Sequence, residues 1–197
     1  MKVCNGGWFI QRVEAWLSAW GYRYVEVPSL VPTTMFQSCI EGTENRMFNL
    51  KDGASLLPEV TNYIRDLGSQ RLGASKIYYI ARCFRDESTT DSERLREFTQ
   101  IGVEFLGSNA LDCRKVVRQD AIKLFKNLLP STSWTLEDNV QRGLNLYDSS
   151  GKTFEITSTA TRKQILGGGP YDGGSGWALG LERLMIAMNN SEINFTT

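Results

Sequence analysis

At 197 residues, 41% of them hydrophobic and 11% aromatic, the chain has the size and composition of one soluble domain with a sizeable core. Its 22 basic side chains balance its 22 acidic ones, which argues against a broad electrostatic footprint for nucleic acid, and the absence of histidine excludes Ser-His-Asp or Cys-His catalysis within it. No apolar run of about 18 residues and no secretory pattern is present, so a cytoplasmic location is expected; Cys4, Cys39, Cys83 and Cys113 stand far apart with no CxxC pair, as reduced structural thiols do, and no metal site is expected.

Trp8, Phe9, Val13, Trp16, Leu17 and Trp20 recur at helical spacing up to Gly21, a C-cap residue, and YRYVEVPSL then alternates like a strand until Pro28. MFNLKDGASLL predicts a hairpin turning at Asp52-Gly53, and PEVTNYIRDLGS a helix with Pro58 near its start. KIYYIARCFR reads as a buried strand, with REFTQIGVEFLG as its antiparallel partner. Asp112 is a candidate cap for a helix whose Val116, Val117, Ile122, Leu124, Phe125 and Leu128 form an apolar face, ended by Pro130. TFEITST predicts a strand, GGGPYDGGSG a glycine-rich turn, and WALGLERLMIAM a passage from strand to helix. Hairpins outnumber any βαβ alternation, so the expected class is α+β, an antiparallel β-sheet flanked by helices in one domain over residues 1–197.

Residues 82–107, RCFRDESTTDSERLREFTQIGVEFLG, are the most informative. Two apolar strands bracket a loop rich in charge, with Arg85 at its mouth and Glu87 two residues on, where both would face one side. An arginine there can pair with phosphate and a carboxylate can accept from an amine-bearing ring, although charges that merely solvate one another are the plainer reading of a lone RDE triplet. Gln100 and Glu104 share even spacing with Phe98 and Gly102, placing polar groups on one face of a strand apolar enough to be buried. Buried polar groups need partners, either other side chains or a polar ligand.

FRDE followed by RxxxF, from Arg94 to Phe98, resembles motif 2 of the class II aminoacyl-tRNA synthetases; GWALGLER, from Gly176 to Arg183, resembles motif 3, and YRYVEVPSL the close of motif 1. Within that class the chain is similar to histidyl-tRNA synthetase. LLPEVT at 56–61 stands beside that family's LRPEGT, QRGLNLYDSSGKTFE at 141–155 beside RGLDYYTGTVFE, and GGGPYD at 167–172 beside GGRYD. The resemblance implies a single class II catalytic domain with no anticodon-binding domain, which activates an amino acid, histidine first, with ATP and Mg²⁺ to an aminoacyl adenylate. By it, Arg85 would hold the α-phosphate, Glu87 the adenine amine, Phe98 would stack on the adenine, Arg183 would reach the γ-phosphate, and Arg94 would belong to the ATP site. Glu59 and Thr61 would receive the substrate amino group, while Gln100, Glu104, Tyr147 and Tyr171 would surround its side chain. Arg142 would sit between the reacting carboxylate and the α-phosphate, so Arg85, Arg142 and Arg183 are the expected catalytic set.

Four positions depart from the family pattern: Leu57 replaces the arginine of LRPE, Asn145 the aspartate of RGLD, Leu146 the first tyrosine of its pair, and Pro170 the arginine of GGRYD. Those losses keep two alternatives in view. One is a catalytically silent regulatory or scaffold subunit of the kind that partners ATP phosphoribosyltransferase; the other is an adenylating enzyme with an acceptor other than tRNA. The glycine-rich segment lacks any P-loop or dinucleotide pattern and reads as backbone making room for substrate. A homodimer is expected because the class pairs through motif 1, and Trp8, Trp16 and Trp20 offer aromatic surface, although the same tryptophans could instead pack inward as core.

Overall fold

The computed structural model describes residues 6–36, 46–71, 73–88, 94–107, 109–140 and 152–190. Helix α1 (Gly6–Ala19) buries Phe9, Val13 and Leu17, one stripe of an amphipathic helix, and ends before Gly21 at φ 82°, the left-handed conformation its C-cap reading requires. The expected strand after it is short: β1 (Arg23–Tyr24) pairs and the chain then leaves the sheet. Strands β2 (Leu30–Pro32) and β3 (Ala54–Leu56) form a small antiparallel sheet of their own, and the chain turns before β3 at Asp52-Gly53, where Gly53 adopts φ 81°. The first arm of that predicted hairpin is reduced to one bridge, Asn49 opposite Ser55. Helix α2 (Thr61–Arg71) begins three residues after Pro58.

Strands β4 (Ser75–Phe84) and β5 (Glu97–Leu106) are the predicted antiparallel pair, in register from Ser75 opposite Leu106 to Phe84 opposite Glu97. Helix α3 (Ala110–Leu128) corrects the sequence reading of its start: Asn109, not Asp112, is the N-cap, and its side-chain oxygen accepts from the Asp112 amide at 3.2 Å. Val116 and Ile122 are only half-buried; the inward stripe runs through Cys113, Val117, Ala121, Leu124, Phe125 and Leu128. Asp120 is also buried there, accepting the Tyr22 hydroxyl at 3.0 Å with Lys76 and Lys123 near. Strand β6 (Trp134–Asp138) has no clear signature in the sequence, whereas β7 (Phe154–Ser158) is the predicted TFEITST strand. The glycine-rich segment is no extended turn. It is strand β8 (Gln164–Tyr171), a two-residue turn, and strand β9 (Gly174–Gly180), which runs into helix α4 (Leu181–Asn190) as expected.

Among the described residues seven strands lie in the order β1-β4-β5-β9-β8-β7-β6, antiparallel except for the β1–β4 pair. One face is covered by α1, α3 and α4, which pack Leu17, Val117, Leu124, Phe125 and Leu184 against Ile101, Val103, Phe154, Leu166, Trp177 and Leu179. The other carries a smaller core at the β4 end, where Val60, just before α2, and Ile64 within it meet Ile77, Tyr79, Ala81, Cys83 and Tyr171. Trp16 and Trp20 pack against the larger core, the inward alternative, whereas Trp8 is exposed. Cys83 and Cys113 are free and buried, whereas Cys4 and Cys39 lie outside the described residues. No described helix is long and apolar enough to cross a membrane.

Candidate functional site

Alternation along β5 sends Thr99, Ile101 and Val103 toward the helices and Phe98, Gln100, Gly102 and Glu104 to the opposite face. Glu104 is fully buried there, yet both its oxygens have donors: the Thr61 hydroxyl reaches Oε1 at 2.9 Å and the Tyr171 hydroxyl reaches Oε2 at 2.8 Å. Burial pushes its carboxyl pKa up to about 8, against the pull of those two hydroxyls and with the charge of Glu59 adding to the rise. The three residues come from β5, the start of α2 and the end of β8, so only the folded sheet assembles them.

Glu59 precedes α2 and accepts from the backbone amides of Thr61 at 2.9 Å and Asn62 at 2.8 Å, satisfying orphan donors at a positive helix end. Burial raises its pKa, opposed by the Asn62 amide, Arg85 and the Thr61 amide. Glu59 is therefore both a helix cap and a buried acceptor with lone pairs left for a cation. Gln100 turns its Oε1 to the Val60 amide at 3.1 Å, fixing the same segment against β5. The side-chain amide of Asn62, 1% exposed, has no hydrogen-bond partner among the described residues, a feature with no signal in the sequence pattern.

Toward the loop, Arg85 donates from Nε to the Pro58 carbonyl at 3.0 Å and lays its guanidinium 5.0 Å from the centre of the Phe98 ring. Burial lowers its pKa, while Cys83, Glu59 and Glu87 oppose that shift. With Nε occupied, the guanidinium retains donors for an anion. Glu87, half-buried, lies 3.7 Å from the exposed Arg46, a pair that motif spacing does not reveal, and Arg94 is exposed. Arg183, at the start of α4, donates to the Gln164 carbonyl at 3.1 Å. Its neighbour Glu182 takes the Thr99 amide at 2.8 and 2.9 Å and the Thr99 hydroxyl at 2.8 Å, and so fastens α4 beside Phe98. Arg142 and Tyr147, with Asn145 and Leu146, lie outside the described residues.

Between the carboxylates and Arg183 the β9 and β8 positions of this face are glycine or alanine. Opposite Gln100, Gly102 and Glu104 stand Gly180, Ala178 and Gly176 of β9, and beyond them Gly167 and Gly169 of β8. A Cβ at Gly176 would fall 1.7 Å from Glu104 Oε2, so only glycine lets that carboxylate lie across β9. Strands, in place of a loop, carry these glycines, and at Gly176 the room they leave is taken by the Glu104 side chain. Leu57 is wholly buried in the smaller core and Pro170 is buried in β8, so neither family arginine has a counterpart at those positions. Among the described residues no group of three or more His, Cys, Asp or Glu side chains stands close enough to hold a metal ion.

A profile of the histidyl-tRNA synthetase family matches residues 7–136. The histidine–tRNA ligase of Dechloromonas aromatica is 32% identical over 112 residues, half of this chain and 26% of that enzyme, so the chain spans about a quarter of the length of such relatives. An ATP phosphoribosyltransferase regulatory subunit from Cyanothece is 28% identical over 56% of this chain and 30% of that protein. Among solved structures, apo histidyl-tRNA synthetase of S. aureus superposes with a TM-score of 0.70 at 18% identity, covering 97% of this chain and 68% of that one, which establishes the class II synthetase fold.

Proposed function

The chain belongs to the histidyl-tRNA synthetase family, and from that membership we propose that it activates an amino acid, histidine first, by ATP-dependent formation of an aminoacyl adenylate. The observation that carries this reading is the Glu104 carboxylate, buried and held by two hydroxyls on the same sheet face as Glu59, Arg85 and Phe98. Burial holds the Glu104 carboxyl largely protonated near neutral pH, and a ligand that brings its own N–H, such as an imidazole, would draw it to the ionised, accepting form. Glu59 and Thr61 would receive the α-ammonium group, with Gln100, Tyr171 and Tyr147 around the side chain. Phe98 would stack on adenine and Glu87 would accept from its amine once released from Arg46.

An oxygen of the amino-acid carboxylate would attack the α-phosphorus, forming one P–O bond as the bond to the β-phosphate breaks and pyrophosphate leaves. Positioning and charge neutralisation do the work in such a displacement. Arg85 would hold the α-phosphate, Arg142 would face the charge developing on the transferred group, and Arg183, with Arg94, would take the outer phosphates. Mg²⁺ would enter with the triphosphate, whose oxygens suit a hard cation, and would offset charge beside the arginines. Acceptance of the acyl group by tRNA, a cytoplasmic location and pairing of two copies through the exposed Trp8 and Tyr24 region complete the reading.

The test is amino-acid-dependent exchange of labelled pyrophosphate into ATP, with each of the twenty amino acids supplied in turn. Exchange with histidine supports the proposal, and exchange with another amino acid relocates it to the pocket changed at Leu57 and Pro170. No exchange by a folded chain favours a second reading, motivated by the regulatory-subunit relative and by those same lost arginines: a silent subunit that binds a partner enzyme.

A further inference from the structure

Strand β9 pairs with β5 only as far as Gly180 opposite Gln100, and the chain then turns into α4 at Leu181. On its other side β5 stays paired with β4 as far as Glu97, so at Thr99 it is matched by Arg82 of β4 but has outrun β9. A backbone N–H that loses its neighbouring strand needs another acceptor. The Thr99 amide finds one in the Glu182 carboxylate, at 2.9 Å from Oε1 and 2.8 Å from Oε2, and the Thr99 hydroxyl adds a third bond to Oε1 at 2.8 Å. Arg82, opposite Thr99, brings its guanidinium within 3.7 Å of the same Oε1. One residue on, Arg183 donates to the Gln164 carbonyl of β8 at 3.1 Å. The first turn of α4 thus straddles the end of β9 and is tied to both of that strand's neighbours, to β5 by Glu182 and to β8 by Arg183.

We propose that Glu182 is a positioning residue of the nucleotide site: by standing in for β9 at Thr99, it fixes the span between Phe98 on β5 and Arg183 on α4, so that one ATP can meet both. Phe98 is the residue next to Thr99, and its ring lies 5.0 Å from the Arg85 guanidinium. Arg183 is the residue next to Glu182. Two adjacent pairs, joined by the bonds between Thr99 and Glu182, therefore set the distance from the ring that would stack on adenine to the arginine that would take the outer phosphates. Those bonds are charge-assisted, roughly twice as strong as neutral ones. Glu104 stands further along β5, about 16 Å from Thr99 at the rise of an extended strand. Gln100, though adjacent, is held independently by its pairing with Gly180 and its bond to the Val60 amide. Loss of the joint should therefore reach ATP and spare the amino acid.

The role of Glu182 rests on the proposed ATP site, and its test separates the two. Binding of ATP with Mg²⁺ is measured directly by calorimetry on the full chain, alongside the amino-acid KM in pyrophosphate exchange. Glu182→Ala should raise the ATP Kd about tenfold or more, the scale of a lost charge-assisted bond, and leave the amino-acid KM within about twofold. Glu182→Gln keeps one oxygen for the Thr99 amide and should recover much of that loss, leaving a rise of about threefold. An unchanged ATP Kd in Glu182→Ala, an equal rise in both constants, or a Gln variant as impaired as the Ala one overturns the positioning role. If the native chain binds ATP but exchanges with no amino acid, the activation reading has failed, and the ATP Kd values of the native chain and its two variants decide the role of Glu182 alone. If the native chain binds no ATP, the nucleotide site is absent and the role of Glu182 falls with it.

Discussion

The two faces of one sheet are made from alternate residues of the same strands, yet they follow opposite rules. On the face under α1, α3 and α4, β5 and β9 present Ile101, Val103, Trp177 and Leu179, large side chains that interlock with helical ones. On the other face the same strands present Gln100, Gly102, Glu104, Gly176, Ala178 and Gly180. The first face gains stability from dispersion and excluded water; the second keeps a buried carboxylate near neutrality, a Tyr79 hydroxyl with no partner among the described residues, and missing Cβ atoms, each of which costs stability. Such a division places the unfavourable features where a ligand can offset them and the favourable ones where none can reach.

The strongest way to break this contrast is to attack each face by its own measure. Trp177→Ala should cost about 3–5 kcal/mol through the cavity left among α3 and β8 neighbours, read as a large loss in Tm or in the denaturant midpoint. Stability within about 1 kcal/mol of the native chain would mean that the helix-covered face is not the main source of stability. Arg85→Ala should do the reverse, lowering pyrophosphate exchange about 10²- to 10³-fold, the scale of one lost charge-stabilising donor, while its lost bond to the Pro58 carbonyl moves Tm little. Exchange retained by that variant would remove Arg85 from the proposed chemistry.

Glu104 allows a finer test because its folded pKa stands raised, about 8 against an ordinary carboxylate near 4.5. Between those values the folded chain holds a proton that the unfolded chain has lost, so stability should fall as pH rises through this window, by up to about 1.4 kcal/mol per pH unit. Below the window both states are protonated and above it both are ionised, so the contribution is flat. Glu104→Gln should flatten the slope and raise the amino-acid KM more than the ATP KM. A slope equal to that of the native chain would show that another group titrates there.

Much of this contrast is legible in the sequence. Even spacing puts Phe98, Gln100, Gly102 and Glu104 on one face, and KIYYIARCF, largely apolar, reads as a buried strand; both patterns depend only on the geometry of an extended chain. The glycine-rich segment misleads because glycine is a turn signal in sequence but is also what a strand needs where another side chain crosses it, and only the register of β9 against β5 distinguishes the two uses. Tyr79 is hidden for the same reason: nothing in YYIA says that one tyrosine leans over Gly102, twenty-three residues later. Asp112 and Asn109 both suit a helix cap, and the choice between them depends on where the backbone enters the helix.

That cap gives the mildest probe. Asn109 holds the Asp112 amide and, through its own side-chain amide, donates to the Asp112 carboxylate at 2.7 Å, at the start of the helix that roofs the packed face. Asn109→Ala should cost about 1 kcal/mol, a Tm shift of about 2–4 °C, and should leave exchange unchanged because α3 lies behind the sheet from the site. If so small a loss at α3 altered the amino-acid KM, strain on one face would be reaching the other through β5 and β9. The separation between a face that supplies stability and a face that gives some of it up would then fail at its least perturbing test.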